Sequence, residues 1–85
     1  MIRILFFASL RERLGEAETT LPATPTLGSV ADVRAALAER AEGRWREALS
    51  VEQHLLVAVN ETMATPETPV QDGDVVAFFP PVTGG

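Results

Sequence analysis

Residues Ser29 to Gly43, SVADVRAALAERAEG, carry one long stretch of helical period with period-two segments on both sides, and that arrangement narrows the folds open to the chain. Ser29 followed by Asp32 three positions on is a helix start of capping-box type. The hydroxyl accepts an orphan backbone N–H, and the acid suits the positive end of the helix. Val30, Val33 and Leu37 fall at i, i+3 and i+7, so they share one face, and the alanines between them favour helix. The spacing predicts a helix over 30–42 with Gly43 as a left-handed C-terminal cap. Its apolar face must lie against a sheet.

The flanking segments supply that sheet. In residues 1–8 Ile2, Ile4 and Phe6 alternate with Arg3, Leu5 and Phe7, which predicts a strand with Arg3 on the wetter side. Ser9 to Leu14 can make a helical turn before Gly15. Glu16 to Leu21 reads as a second strand paired to the first as a hairpin, and Pro22 and Pro25 end it. Trp45 and Leu49, four apart, predict a further short helix over one edge of the core. His54 to Val59 is a third strand, Asn60-Glu61 a tight turn into a short strand at 62–64, Gln71 to Asp74 another turn, and Val75 to Phe79 the last strand. The order β-β-α-β-β-β implies an α+β domain over residues 1–79, a mixed sheet with one main helix packed across one face. A last strand laid parallel beside the first would make it a β-grasp fold. Leu5, Phe7, Met63 and one of Phe78 or Phe79 are candidates for the face left open.

Composition removes several functions. The chain has 85 residues, long enough for one modest core, and no apolar run of the roughly 20 residues that a membrane span needs. With no signal-peptide pattern either, a cytoplasmic protein is expected. There is no cysteine, so no disulfide, thiol nucleophile or thiolate metal site. All seven basic residues are arginines against twelve acids, a net charge of −5, which is the wrong sign for a phosphate backbone and leaves Met1's α-amino group as the one primary amine. Neither nucleic acid nor a membrane is an expected partner. His54, the single histidine, has no Cys, His or acid at metal-ligand spacing, and Asp72 and Asp74 read as turn residues around Gly73, so no metal site is expected. Arg11 and Arg13 read as a solvated helix face, with docking onto an acidic partner as the alternative.

The chain closes on FFPPVTGG, Phe78 to Gly85. Pro80 and Pro81 favour an extended path away from the last strand, so residues 80–85 are expected to form a projecting tail. Val82, Thr83, Gly84 and Gly85 are small or slim, and the glycines can thread a channel that would reject a Cβ. At roughly 3.3–3.6 Å per residue the tail could reach about 20 Å into a partner. The reactive group at its tip is the Gly85 α-carboxylate. A carboxylate becomes an electrophile once adenylated, after which a sulfur or amine nucleophile can displace AMP at an unhindered glycine carbonyl. The plain alternative is a small, frayed terminus. The aromatic strand and prolines that lead into the glycines favour function.

The first strand Ile2-Arg3-Ile4-Leu5-Phe6-Phe7, the VAVN segment Val57 to Asn60 and the ending DGDVVAFFPPVTGG, Asp72 to Gly85, resemble the small, sulfur-carrier subunits of molybdopterin synthases. The likeness spans nearly the whole chain, and the ending is its specific part. It implies a ubiquitin-like β-grasp fold and a carrier without catalytic side chains or a bound cofactor. In that family an adenylating enzyme, using ATP and Mg, activates the terminal glycine, and sulfur from a persulfide protein converts it to a thiocarboxylate. The large subunit then transfers that sulfur to cyclic pyranopterin monophosphate to make molybdopterin, in a heterotetramer with two carriers. Carried onto this chain, the resemblance makes Gly85 the sulfur bearer and Gly84 the residue whose smallness opens the channel. Phe79, Met63 and Phe7 would form the apolar docking surface, with Pro80, Pro81, Val82 and Thr83 inside the partner. Ordinary core packing is the alternative for the three apolar residues. Met63 stands where leucine is more usual, a mild change. Competing functions are a sulfur carrier for thiamine or tRNA thiolation, a ubiquitin-like protein modifier, and a β-grasp interaction module with an idle tail.

Overall fold

The N-terminal alternation sets the sheet. In a computed structural model that describes residues 1–39, 43–50 and 54–81, strand β1 spans Ile2–Phe6 and buries Ile2, Ile4 and Phe6 while Arg3 stays exposed. Helix α1, Ala8–Leu14, follows at once and is longer than the expected single turn. Phe7 precedes it in extended conformation with no side-chain cap, and Ala8 takes a left-handed φ of 54°, a bend that strains a residue with a Cβ. Gly15, at φ 75°, closes α1 by donating its N–H to the Arg11 carbonyl at 2.9 Å. Strand β2, Glu18–Leu21, then returns antiparallel to β1, with Ile2 opposite Leu21 and Leu5 opposite Glu18.

Helix α2 spans Val30–Ala38 and starts as its sequence demands: the Ser29 hydroxyl accepts the Asp32 N–H at 3.3 Å. The Asp32 carboxylate in turn accepts the Gly28 N–H at 3.1 Å. Val30, Val33 and Leu37 are buried, as their spacing requires. The helix stops short of Glu42, and Gly43 opens helix α3, Gly43–Ala48, instead of capping α2. Packing decides this. Trp45 meets Phe6 edge-on at 5.3 Å between ring centroids, and Ala48 and Leu49 are buried beside it, so a second helix axis is needed to bring that triplet over the sheet.

Strand β3 spans Leu56–Val59, two residues shorter at its start than expected. Its partner explains the difference: Leu56 pairs with Phe79, and the next position along would face Pro80, which has no N–H to offer the ladder. Asn60 and Glu61, both with positive φ (50° and 69°), turn β3 into the two-residue strand β4, Thr62–Met63. Strand β5, Val75–Phe79, runs antiparallel to β3 and parallel to β1, with Phe6 opposite Phe78. The strand order is β2-β1-β5-β3-β4 in one five-stranded mixed sheet. The β-grasp arrangement therefore holds, and the three helices among the described residues lie on one side of the sheet through the buried residues they contribute. Phe6 and Phe78 stack at 6.5 Å in the middle of that core, and no polar side chain is buried among the described residues.

Candidate functional site

Strand alternation leaves the other face of the sheet open. In register, Leu5 of β1 sits beside Ala77 of β5, Ala77 beside Ala58 of β3, and Ala58 beside Met63 of β4. One step toward the C-terminal end of β5, Phe79 pairs with Leu56. Phe7 lies just past the end of β1 and donates its N–H to the Phe78 carbonyl at 3.2 Å, which holds its ring against Phe79 in an edge-on contact at 6.5 Å. Phe7 is 46% exposed and Met63 59%, large values for apolar side chains of this size. Neither is core. Of the two candidates in the last strand, Phe78 is buried and the half-buried Phe79 belongs to the open face.

Phe7, Met63 and Phe79 thus occur on one surface, and Phe7 and Phe79 touch. Pro80 and Pro81 follow Phe79 directly, both half-buried. Val82, Thr83, Gly84 and Gly85 lie outside the described residues, as does the expected projection of the tail's tip. Reading strands only for their large residues passes over Ala58 and Ala77. Period two would have found both, since Ala77 precedes Phe79 by two and Ala58 follows Leu56 by two. Asn60 is a second residue with more to do than its turn propensity reveals. Its side chain donates to Asp74 Oδ1 at 3.0 Å and accepts the Val75 N–H at 3.0 Å, which ties the β3–β4 turn to the start of β5.

Two ion pairs lie along this sheet. Arg3 Nε donates to Glu18 Oε2 at 2.8 Å, and that hydrogen bond, with the charge behind it, holds the Glu18 carboxyl below its ordinary range. At the far end of the sheet the Met1 ammonium donates to Asp72 Oδ1, which lowers Asp72 in the same way. His54 is exposed, and among the described residues no three acidic, histidine or cysteine side chains gather where they could hold a metal ion. A cleft of about 530 Å³ opens on the helix side between α2 and β3, lined in part by Val30, Arg34, Leu49 and Leu55. Arg34 donates there to the Leu49 carbonyl at 2.8 Å and to the Ser50 carbonyl, so it satisfies the carbonyls at the end of α3.

Among the described residues this surface presents exposed apolar side chains, the kind of face that a partner protein can cover. The model of the ThiS family matches residues 4–85. This chain belongs to the ThiS family. A relative from Escherichia coli K12, the molybdopterin synthase sulfur carrier subunit, is 45% identical over 86 residues, covering 100% of both chains. The protein of the same name from Haemophilus influenzae is 42% identical over the same span. Among solved structures, SAMP1 of Haloferax volcanii superposes with a TM-score of 0.76 at 26% identity, covering 99% of this chain and 98% of that one. The complex of subunits 1 and 2 of the molybdopterin-converting factor of Helicobacter pylori contains a chain with a TM-score of 0.65 at 26% identity, covering 99% and 97%. No helix among the described residues is long and apolar enough to cross a membrane.

Proposed function

We propose that this chain is the sulfur-carrier small subunit of a molybdopterin synthase. The observation that carries the reading is the 45% identity, over the whole of both chains, to the Escherichia coli subunit of that name. The reactive atom is the carbonyl carbon of Gly85. An adenylating enzyme uses ATP and Mg: a Gly85 carboxylate oxygen attacks the α-phosphorus and pyrophosphate leaves, the outer sulfur of a protein persulfide displaces AMP to give an acyl disulfide, and a thiol of the loading proteins cleaves that S–S bond, forming a disulfide and leaving the thiocarboxylate on Gly85. Because the chain has no cysteine, it cannot carry that sulfur as a persulfide of its own. The thiocarboxylate enters the large subunit, its sulfur bonds to a carbon of cyclic pyranopterin monophosphate in place of an oxygen, and water cleaves the acyl–sulfur bond so that Gly85 returns as a carboxylate. Loading that consumes ATP fits a cytoplasmic protein.

Each part of the chain has a separable task in this scheme. Phe7, Phe79 and Met63 seat the carrier on its partner through apolar burial. Pro80 and Pro81 stiffen the exit from β5, which lowers the entropy lost when the tail is ordered in a channel. Val82, Thr83 and Gly84 are slim enough to follow, and Gly84 has no Cβ to block the channel beside the reacting carbon. The catalytic side chains belong to the large subunit, with the heterotetramer as the working complex.

Reconstitution tests the reading. The full chain, an adenylating enzyme, ATP, Mg, a persulfide donor, the large subunit and the pterin precursor should yield molybdopterin. A variant lacking Gly85, or one with a residue appended after it, should yield none while melting as the unaltered chain does. Molybdopterin made at the normal rate by the extended variant, with its extra residue in place, would contradict the proposal. The likeness to SAMP1, a small archaeal modifier protein, favours a second reading as a protein modifier. Mass spectrometry of protein from cells separates the two, since a modifier yields amide adducts on other proteins and a carrier yields oxygen-to-sulfur exchange at Gly85.

A further inference from the structure

The open face is uneven in a way its apolar composition alone does not require. One residue from each strand lies in a row across it: Glu18, Leu5, Ala77, Ala58 and Met63. Leu5 and Met63 stand up from the sheet, and the two residues between them end at a methyl group. Strands lie about 4.8 Å apart, so three spacings separate Leu5 from Met63 by about 14 Å. Along the strands, Phe79 and Leu56 stand at one end of this gap, and Val75, beside Arg3, stands at the other. Ala58, 8% exposed, and the half-buried Ala77 therefore floor a depression with Leu5, Met63 and the Phe79–Leu56 pair on three sides and Val75 on the fourth. A sheet face that only met water would alternate toward polar residues, and Ala is a poor strand former, so two alanines side by side call for a packing reason.

We propose that Ala58 and Ala77 are specificity-determining residues: they form a seat for a single bulky aliphatic or aromatic side chain projecting from the large subunit. This rests on the docking role given to the open face above. The charges beside the seat argue for an apolar occupant. Arg3 and Glu18 are paired with each other, so a charged side chain placed over the alanines would lose its water without gaining a counter-ion, whereas an apolar one loses nothing. A side chain that fills an enclosed apolar depression inside a ring of other contacts has the position of an interface hot spot.

The test is Ala77→Leu in the full chain, with affinity for the large subunit measured beside Phe79→Asp. Leucine at this half-buried strand position fills the seat without touching the core. Binding should weaken roughly 10–100-fold, the size of an overpacking penalty, with the melting temperature held. If Ala77→Leu binds normally while Phe79→Asp binds poorly, the seat is wrong and the docking face stands. If Phe79→Asp also binds normally, the docking face itself is wrong. Should Ala77→Leu fail to fold, methyl-labelled alanine in the unaltered chain decides the matter. Nuclear Overhauser contacts from the Ala58 and Ala77 methyls to an apolar side chain of the large subunit support the seat, and the absence of any such contact, with the Ala77 methyl still open to water in the complex, overturns it.

Discussion

Two pairs of phenylalanines, one residue apart in the sequence, meet opposite fates. Phe6 and Phe78 stack inside the core, with Trp45 set edge-on against Phe6. Phe7 and Phe79 touch on the other side of the same sheet, where Phe7 remains 46% exposed. Composition cannot separate Phe6 from Phe7 or Phe78 from Phe79; strand parity does. The difference teaches that burial in this chain follows the position of three helices relative to one sheet, and that large apolar side chains were kept where no helix covers them. A fold of this size has little stability to spare, so apolar surface left in water needs a use outside the monomer.

The comparison can be broken most easily from the core side. Phe78→Ala should cost about 3–5 kcal/mol, the usual range for a buried phenylalanine, and so remove most of the stability of a small domain. Thermal melting followed by circular dichroism would show it, and a loss under about 1 kcal/mol would mean the two pairs are not so different. On the open side, Phe7→Ser together with Met63→Ser should lower the affinity for the large subunit by about tenfold or more with little change in melting temperature. Equal losses of affinity and stability would place these residues in the fold's own support.

Smaller effects sharpen the same contrast. Ser29→Ala removes the hydroxyl that accepts the Asp32 N–H and should cost about 1 kcal/mol by destabilising the helix that closes the covered face, with binding unaltered once the protein is folded. Asp72→Asn should have the least effect, because both members of the Met1–Asp72 pair are exposed. Its sign with pH is fixed. The ammonium lowers the Asp72 carboxyl in the folded state, so the pair contributes above the ordinary carboxylate range and its contribution disappears as pH falls through the lowered value. Melting curves of the two proteins should differ slightly near neutral pH and converge in acid. A gap that widened in acid would contradict the assignment.

Much of this was legible because local and tertiary preferences agree. Ser29 announces α2, the alternation of Ile2, Ile4 and Phe6 announces β1, and Asn60-Glu61 announces a two-residue turn. What was not legible depends on distant partners. The start of α3 at Gly43 follows from Trp45 reaching Phe6, and the start of β3 at Leu56 follows from the proline that ends its neighbour. Helix α1 carries no capping side chain, so Ser9, the nearest polar residue, misplaces its start by one position. The docking candidates were legible through parity, yet the paired alanines between them emerge only from the register of four strands. The chemistry proposed for Gly84 and Gly85 comes from residue type and family likeness, and it needs a direct measurement.

That measurement is the mass of the C-terminal peptide after the full chain is incubated with its adenylating enzyme, ATP, Mg and a persulfide donor. The account predicts one oxygen replaced by sulfur at Gly85, reversed when the large subunit and the pterin precursor are added. A peptide that keeps both oxygens, from a preparation in which the same enzymes load another carrier, would contradict it.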